Sequence, residues 1–585
     1  MTLGRDDLQL LALASDETAT AVPADRQPLA EPADPEQRSQ AAKLVELAER
    51  VELFHTPTDE PFATLPVGGH HETHPVRSLT FKSWLRRQYW DTYRKPAGGS
   101  ALLDAVETLA ARAEFGGETH SVATRVAEQA GCIYVDLTND AWEAVEIGPA
   151  GWRVVTSPPV RFRRSGTMEA LPVPVRGGSL ELLRPFVNVA DADSWHLFVG
   201  TLVAALRPRG PYLVLIMHGE QGSAKSTTAR VVRALVDPSR SPLRAEPREQ
   251  QDLLIAARNN WVVAFDNVSH LPPWLSDALC RLSTGGGFGT RQLYTDQDEI
   301  VLDAQRPQVL NGISEIATRG DLLDRAIILE QPTIDDAERR SEDEFWQSFE
   351  AVRPRILGAL FDAVSAALAN EPHIALDRLP RMADPARWVT AAEAALGWRP
   401  ETFVAAYARN RREGHALALE ASLLTTPLQV LVSTGDWQGP ARVLLERLAG
   451  LAGDGVTRQR EWPRNPRALT AALKRLAPSL RAMGIGWERL ERTGNARPHL
   501  IRATGGTTVT SVTSVTASAD SGGARTPDPE VDRHLVARTV TPGRAPDDGH
   551  DGHDGATPSV PCPDVVTGAP VPHDVPLEEQ MTWTA

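Results

Sequence analysis

The chain has little cysteine, little lysine and no long apolar run, and taken whole it has no excess of basic charge. Three cysteines, Cys132, Cys280 and Cys562, in 585 residues suit neither a paired-cysteine metal site nor a disulfide framework. A reducing, cytoplasmic compartment is the simplest expectation. No run approaches the ~18 apolar residues of a membrane span. Residues 1–14 place Arg5, Asp6 and Asp7 ahead of a short Leu/Ala stretch, without the basic region of a secretory leader. Membrane insertion and secretion are therefore not expected. Only Lys43, Lys82, Lys95, Lys225 and Lys474 are lysines among 61 basic residues, a bias that fits a GC-rich genome better than any one function.

The missing basic excess is a matter of distribution. The formal charge is −15, which alone argues against a nucleic-acid partner. Residues 1–40 carry 8 acids against 3 bases, and residues 504–585 carry 12 against 4. Both stretches are rich in Pro, Gly, Ser, Thr, Ala and Asp, a composition that cannot bury enough surface to offset ordering entropy. They are expected to be disordered acidic tails. The remainder, 41–503, is close to neutral at −2, and within it residues 440–503 hold 13 bases and 5 acids. The length of what remains predicts several domains. Composition and periodicity divide it into a mixed α/β connecting region at 41–190, a motif-bearing α/β core at 191–335, a helical region at 336–424 and a basic segment at 425–503.

The core region contains a strand–glycine loop–helix sequence. The apolar run 211–218 is followed at once by Gly219-Glu-Gln-Gly222-Ser223-Ala224-Lys225-Ser226, and Thr227 onward has helical periodicity. Glycines let such a loop curl so that backbone N–H groups face phosphate oxygens, and the helix start adds a positive dipole end. Gly219, Gly222, Ser223, Ala224, Lys225, Ser226 and Thr227 are thus candidate nucleotide-binding residues. Lys225 is suited to the β- and γ-phosphates of ATP, and Ser226 to Mg²⁺. Ala224 stands where a glycine is usual, and its Cβ is tolerable if the local φ is negative.

Some 40 residues on, Trp261-Val-Val-Ala-Phe-Asp266-Asn267 is a buried-strand pattern ending in an acid. Asp266 is a second Mg²⁺ candidate. The position after it, commonly an acid that polarises the attacking water, is Asn267. Gln308-Val-Leu-Asn311 is another apolar strand whose terminal amide can orient that water; the plainer reading is a turn Asn before Gly312. Between these strands, 282–294 runs from glycine-rich to basic to aromatic, suiting either a hairpin that offers Arg291 to a phosphate backbone or a plain surface loop. Arg319 and Arg325 flank a short helical turn ahead of a strand. Either can stabilise phosphoryl transfer across a subunit interface, or both can be ordinary surface arginines.

In this order the motifs at 219–226, 262–267, 282–294, 308–311 and Arg325 resemble superfamily 3 helicases, in particular the ATPase part of phage and plasmid primase-helicases. The resemblance covers about 211–330. It implies an AAA+-like P-loop sheet, a homo-oligomeric, hexameric ring, and ATP-driven movement on single-stranded or forked DNA. It assigns Lys225, Ser226 and Asp266 to ATP–Mg²⁺, Asn311 to sensing the γ-phosphate, Arg325 to action in trans and Arg291 to DNA. Ala224 and Asn267 depart from the family pattern. Residues 41–190 are short for a primase and show no paired-carboxylate metal site, so no priming activity is expected.

The basic segment reads as a winged-helix-like domain. One helix falls at 440–451 and a second starts at Pro466 behind the N-cap Asn465. A hairpin at 485–502 is joined by Thr493-Gly-Asn-Ala. Arg467, Lys474, Arg475 and Arg489 are the candidate DNA contacts, with Arg-rich surface decoration as the plainer account. His55, His70, His71 and His74 lie close together, but Gly68, Gly69 and Pro75 point to a loop of exposed histidines more than to zinc. The leading expectation is an α/β ATPase that drives DNA in the replication of a mobile element. The competing one is an ATP-dependent DNA-binding switch or loader without unwinding. A small-molecule P-loop kinase is disfavoured by Asn311, the trailing arginines and the basic segment.

Overall fold

The structure is a computed structural model that describes residues 38–269, 271–286, 288–291, 299–302, 304–312, 319–420, 422–492 and 497–504. Apart from 38–40 and 504, the expected tails lie outside the described residues. So do Thr318, residues 287 and 292–294 of the Gly/Arg segment and the turn 493–496. The chain forms two compact units. One comprises residues up to Leu65 together with His74–Thr119; the other comprises Pro66–Thr73 together with His120 onward.

In the first unit, Ser39 and Ser78 accept from the N–H groups of Ala42 and Phe81 and so cap helices Gln40–Leu47 and Leu79–Tyr93, satisfying donors a helix start leaves orphaned. Strand Glu52–His55 pairs antiparallel with Pro61–Val67 and parallel with Glu118–Thr119. Phe54 stacks on Phe62 at 5.7 Å between ring centroids, and Phe81, Leu85, Val106 and Leu109 are buried in the same unit.

The histidine loop expected at 68–75 is instead a hairpin. Gly68 and Gly69 have φ of +53° and +97°, the two positive values that a two-residue hairpin turn requires, and His70–Pro75 is a strand. His55 lies in a strand too. Its Nδ1 donates to Ala113 O at 3.0 Å and its Nε2 accepts from Thr119 Oγ1 at 2.9 Å. Among the described residues, no group of three or more His, Cys, Asp or Glu side chains is placed to hold a metal.

The second unit is organised by a parallel sheet of Val214–His218 (β1), Val263–Phe265 (β2), Gln308–Gly312 (β3) and Ala326–Glu330 (β4), in the order β2-β3-β1-β4. Side chains alternate between two buried faces, as strands covered on both sides must. Leu215, Met217, Val309, Ile327 and Leu329 join one core, while Val214, Ile216, Phe265, Leu310 and Ala326 join another. Helices Pro273–Thr284 and Gln250–Asn259 cover the second face, and Ala192–Ala205, Lys225–Val236 and Glu342–Asn370 the first.

The boundary expected at 190 falls inside one of these cores. The antiparallel strands Val126–Gln129, Cys132–Asp136, Ala144–Gly148 and Gly151–Val155 bury Ile133, Val145 and Ile147 together with the first face of the parallel sheet. A buried charge cluster locks the two. The Arg125 guanidinium donates to Asp237 Oδ1 at 3.1 Å and to the carbonyls of Asp136 and Glu169, and Arg233 donates to Asp237 Oδ2 at 2.6 Å. Burial opposes ionisation of Asp237, but Arg233, Arg125 and the Val262 N–H outweigh it and hold the carboxyl below its ordinary range.

At the carboxy-terminal end, helices Thr425–Ser433, Ala441–Ala452 and Pro466–Ala482 pack on a three-stranded antiparallel sheet ordered Trp437–Pro440, Pro498–Ala503, Ile485–Arg489. Leu428, Leu444, Leu448, Leu469, Leu473, Ile485 and Ile501 form its core. Asn465 accepts from Ala468 N–H and Pro466 opens the helix, as the sequence implies. The strand at 437–440 is additional. With Gly and Pro among its four residues it carries no alternation that a sequence could show.

Candidate functional site

The glycine loop leaves the carboxyl end of β1 and enters helix Lys225–Val236. Gly219 has φ of +150°, and a Cβ there would lie 2.4 Å from Gln331 O; Gly222 has φ of +87°. Both positions therefore require glycine, one for space and both for backbone. The helix that follows has no side-chain cap, unlike helices Gln40–Leu47, Ala192–Ala205 and Pro466–Ala482. Its first N–H groups face the loop opening.

Ala224 corrects the expectation of a negative φ: its φ is +61° and ψ +25°. The left-handed region costs a residue with a Cβ ~1–2 kcal/mol, and glycine avoids this at a smaller entropic cost in the unfolded chain. Ala224→Gly is therefore expected to stabilise the protein by about 0.5–1 kcal/mol, read as a higher chemical denaturation midpoint. An unchanged or lower midpoint would contradict it.

Within the loop, Lys225 Nζ donates to Gly219 O at 2.8 Å, Glu220 O at 2.6 Å and Ser223 Oγ at 3.0 Å. Burial lowers its pKa, with Asp266 opposing. The Ser223 side chain is buried and donates to Glu220 O at 2.9 Å. It thus braces the loop, and only its backbone is left to face a ligand. Ser226 Oγ donates to Asp266 Oδ1 at 2.8 Å, so the two metal candidates, 40 residues apart in sequence, meet at one point. Thr227 is half-buried in the first helical turn.

Asn311, the penultimate residue of β3, lies beside β1, level with Met217. Its Oδ1 accepts from Asn267 N at 2.8 Å and its carbonyl from Val268 N at 2.8 Å. Its buried Nδ2 has no hydrogen-bond partner among the described residues. Asn267 is exposed with φ of +54°, a conformation Asn tolerates better than most residues. Asn188, in an irregular segment without periodicity or motif, fastens the loop. Its Nδ2 donates to Ser223 O at 3.0 Å and Pro332 O at 2.6 Å.

Arg325 lies at the opposite end of the same sheet. It precedes β4, and its carbonyl accepts from Val214 N, the first residue of β1, at 3.1 Å. A five-residue strand separates it from the glycine loop, a span of ~17 Å. Its Nη1 donates to Asp321 O at 2.5 Å. Arg319 is ion-paired with Asp277 at 2.8 Å.

Beside Arg325, Asp324 Oδ1 accepts from Arg411 at 2.5 Å and from His415 Nε2 at 3.1 Å, while His415 Nδ1 bonds Ser479 Oγ at 2.9 Å. Burial raises the Asp324 pKa, but His415 and Arg411 prevail and bring it to about 2. Ser479 is 1% exposed, so this Ser–His–Asp line is a structural joint with no access for a substrate.

Arg467, Lys474 and Arg475 are exposed on helix Pro466–Ala482. Offsets of seven and eight residues place them on one side. Arg489 is exposed at the end of its strand. Arg464 instead donates to the carbonyls of Thr457, Arg458 and Gln459. Arg291 ends strand Phe288–Arg291 opposite Glu299; its side chain lies outside the described residues.

Residues 180–409 match the family model of the actinomycete integrative conjugative element replication protein (AICE RepA), and residues 424–517 match that of the AICE RepA C-terminal domain. Over these stretches the chain belongs to the AICE RepA replication-protein family. The first stretch takes in the glycine loop, Asp266, Asn311 and Arg325; the second takes in the basic helix and hairpin. The expected role in replication of a mobile element thus becomes specific: the element is an integrative conjugative one of actinomycetes. No curated protein matches the chain. Among solved structures, an A-form apo structure of the NrS-1 C-terminal region is similar at 12% identity, over 78% of this chain and 98% of that one, with a TM-score of 0.34. A further apo structure of that region matches at 12% identity over 80% of this chain and 100% of that one, with a TM-score of 0.33.

Proposed function

We propose that the protein is an ATP-hydrolysing DNA motor that acts in replication of its conjugative element. The observation that carries this reading is the meeting of Ser226 and Asp266 at 2.8 Å beneath the Lys225 loop, with Asn311 on the strand between theirs. Glycine-only backbone, uncapped helix N–H groups and a lysine fit a triphosphate. A hydroxyl and a carboxylate fit its Mg²⁺. In that role Lys225 exchanges loop carbonyls for phosphate oxygens, Ser226 and Asp266 hold the metal, and the unpartnered Asn311 Nδ2 orients water toward the γ-phosphate. The order β2-β3-β1-β4, with the Asn strand between the glycine-loop and Asp strands, supports an AAA+-like core.

Arg325 is a strand's length from its own loop, so it serves a neighbouring subunit, and the active form is a homo-oligomer, a ring of the hexameric type. The carboxy-terminal helices and hairpin act as a winged-helix-like module whose Arg467, Lys474, Arg475 and Arg489 contact DNA phosphates. Arg291 does so from the hairpin of the core. Cytoplasmic location follows from this role.

One observation favours a second reading, an ATP-dependent switch or loader. Asn267 occupies the position of the water-polarising acid, and it is exposed, with only its backbone N–H bonded to Asn311. The test is ATP turnover with and without single-stranded DNA, followed by strand displacement on a forked duplex. Stimulated turnover with displacement is the expected result. Stimulation without displacement supports the switch, and absence of nucleotide binding removes both readings.

A further inference from the structure

The segment after β4 runs along the glycine loop and touches it repeatedly. Gln331 N donates to His218 O at 2.8 Å, and its carbonyl is the atom that excludes a side chain at Gly219. Asn188 bridges Pro332 O to Ser223 O. Thr333 Oγ1 donates to Glu220 Oε2 at 3.4 Å. Arg339 brings its guanidinium over the loop, with Nη2 3.1 Å from the point a Cβ on Gly222 would occupy. Beyond it, Glu342 pairs with Arg230 of the helix that follows the loop, and Arg230 lies on the Trp346 ring at 4.7 Å. The segment 331–339 is therefore a strap fixed at both ends, and the charged group it places over Gly222 is the Arg339 guanidinium.

Resting on the phosphate-loop reading above, we propose that Arg339 is a second, same-subunit cation for the nucleotide's polyphosphate, and that the strap is a wall of the nucleotide cleft. The only ion pair the described residues give Arg339 is with Asp336 Oδ1 at 2.9 Å, between side chains 54% and 89% exposed. Such an exposed pair is weak and easily exchanged for a phosphate, which a planar guanidinium grips through two donors. Lys225, by contrast, is held by three acceptors of the loop. Binding therefore frees Arg339 from Asp336 for the polyphosphate.

The test is ATP and ADP binding to the full chain by titration calorimetry, with thermal melting alongside. Arg339→Ala is expected to weaken both nucleotides about tenfold, the effect of one charge-assisted bond, with the melting temperature of the nucleotide-free protein unchanged. Arg339→Lys should recover part of the loss. Asp336→Ala, which releases the guanidinium, should tighten both. Wild-type affinity in Arg339→Ala overturns the proposal, as does a loss matched by a fall in melting temperature and not mirrored by a gain in Asp336→Ala. If the wild-type chain itself binds neither nucleotide, the phosphate-loop reading fails instead.

Discussion

Asp237→Ala is expected to destabilise the second unit by about 3–5 kcal/mol, enough to unfold much of it at ordinary temperature. The carboxylate is fully buried and is the counter-charge of two buried guanidiniums, Arg125 and Arg233, while also accepting from Trp261 and Val262 N–H. Removing it leaves two cations in low dielectric with nowhere to discharge. Asp237→Asn, which keeps the shape but not the charge, should lie between. Urea denaturation of the chain measures both, and a loss below ~1 kcal/mol in Asp237→Ala would show that water reaches the cluster. The sign with pH follows from the depressed carboxyl. Its contribution is complete above the unfolded carboxylate value of ~3.9 and disappears as pH falls through the lower folded value.

Lys225→Ala should lower ATP turnover by at least ~10²-fold, the scale of losing a preorganised charge at a transferring phosphoryl group. Arg325→Ala should cost ~10³-fold or more if the arginine completes a neighbour's site, while leaving ATP binding intact. The decisive measurement mixes the two inactive proteins. A Lys225→Ala subunit still offers Arg325 to its neighbour, and an Arg325→Ala subunit still has a working loop, so turnover should return on mixing. If mixtures stay as inactive as their components, Arg325 does not act across an interface. Wild-type turnover in Lys225→Ala would refute the phosphate-loop assignment.

Much of the site is local in sequence and could be read there. Gly219, Gly222, Lys225 and Ser226 fall in eight residues whose types are set by backbone curvature and charge. Asp266 and Asn311 end apolar strands, and parallel strands bring their carboxyl ends to one edge of a sheet. Asn465 and Pro466 announced their helix through capping chemistry alone. What escaped was non-local or conformational. The left-handed Ala224 could not be foreseen, because the residue that signals positive φ is glycine, and here it is absent. Gly68 and Gly69 do carry that signal, but with Pro75 it suits an open loop as well as a two-residue hairpin turn. The sharing of one core by 126–155 and the parallel sheet depends on which faces meet, and alternation in a strand gives its buried side without naming the partner. Asn188 and Arg339 reach the loop from segments without periodicity, where nothing in the residue type distinguishes a fastening from a surface side chain.

The line from Ser479 through His415 to Asp324 fixes what the basic helix can do mechanically. A Cβ on Gly320 would come within 2.9 Å of Pro478 Cγ, so the turn carrying Asp324 and Arg325 is seated directly against the helix carrying Lys474 and Arg475, with no linker between them. That helix cannot rotate as a rigid body without dragging Asp324 or breaking one of two hydrogen bonds. A displacement of that helix is therefore felt at Asp324, the residue next to Arg325. The helix and the turn are thus joined as one body, and a change in the seat of either is a change in the seat of both.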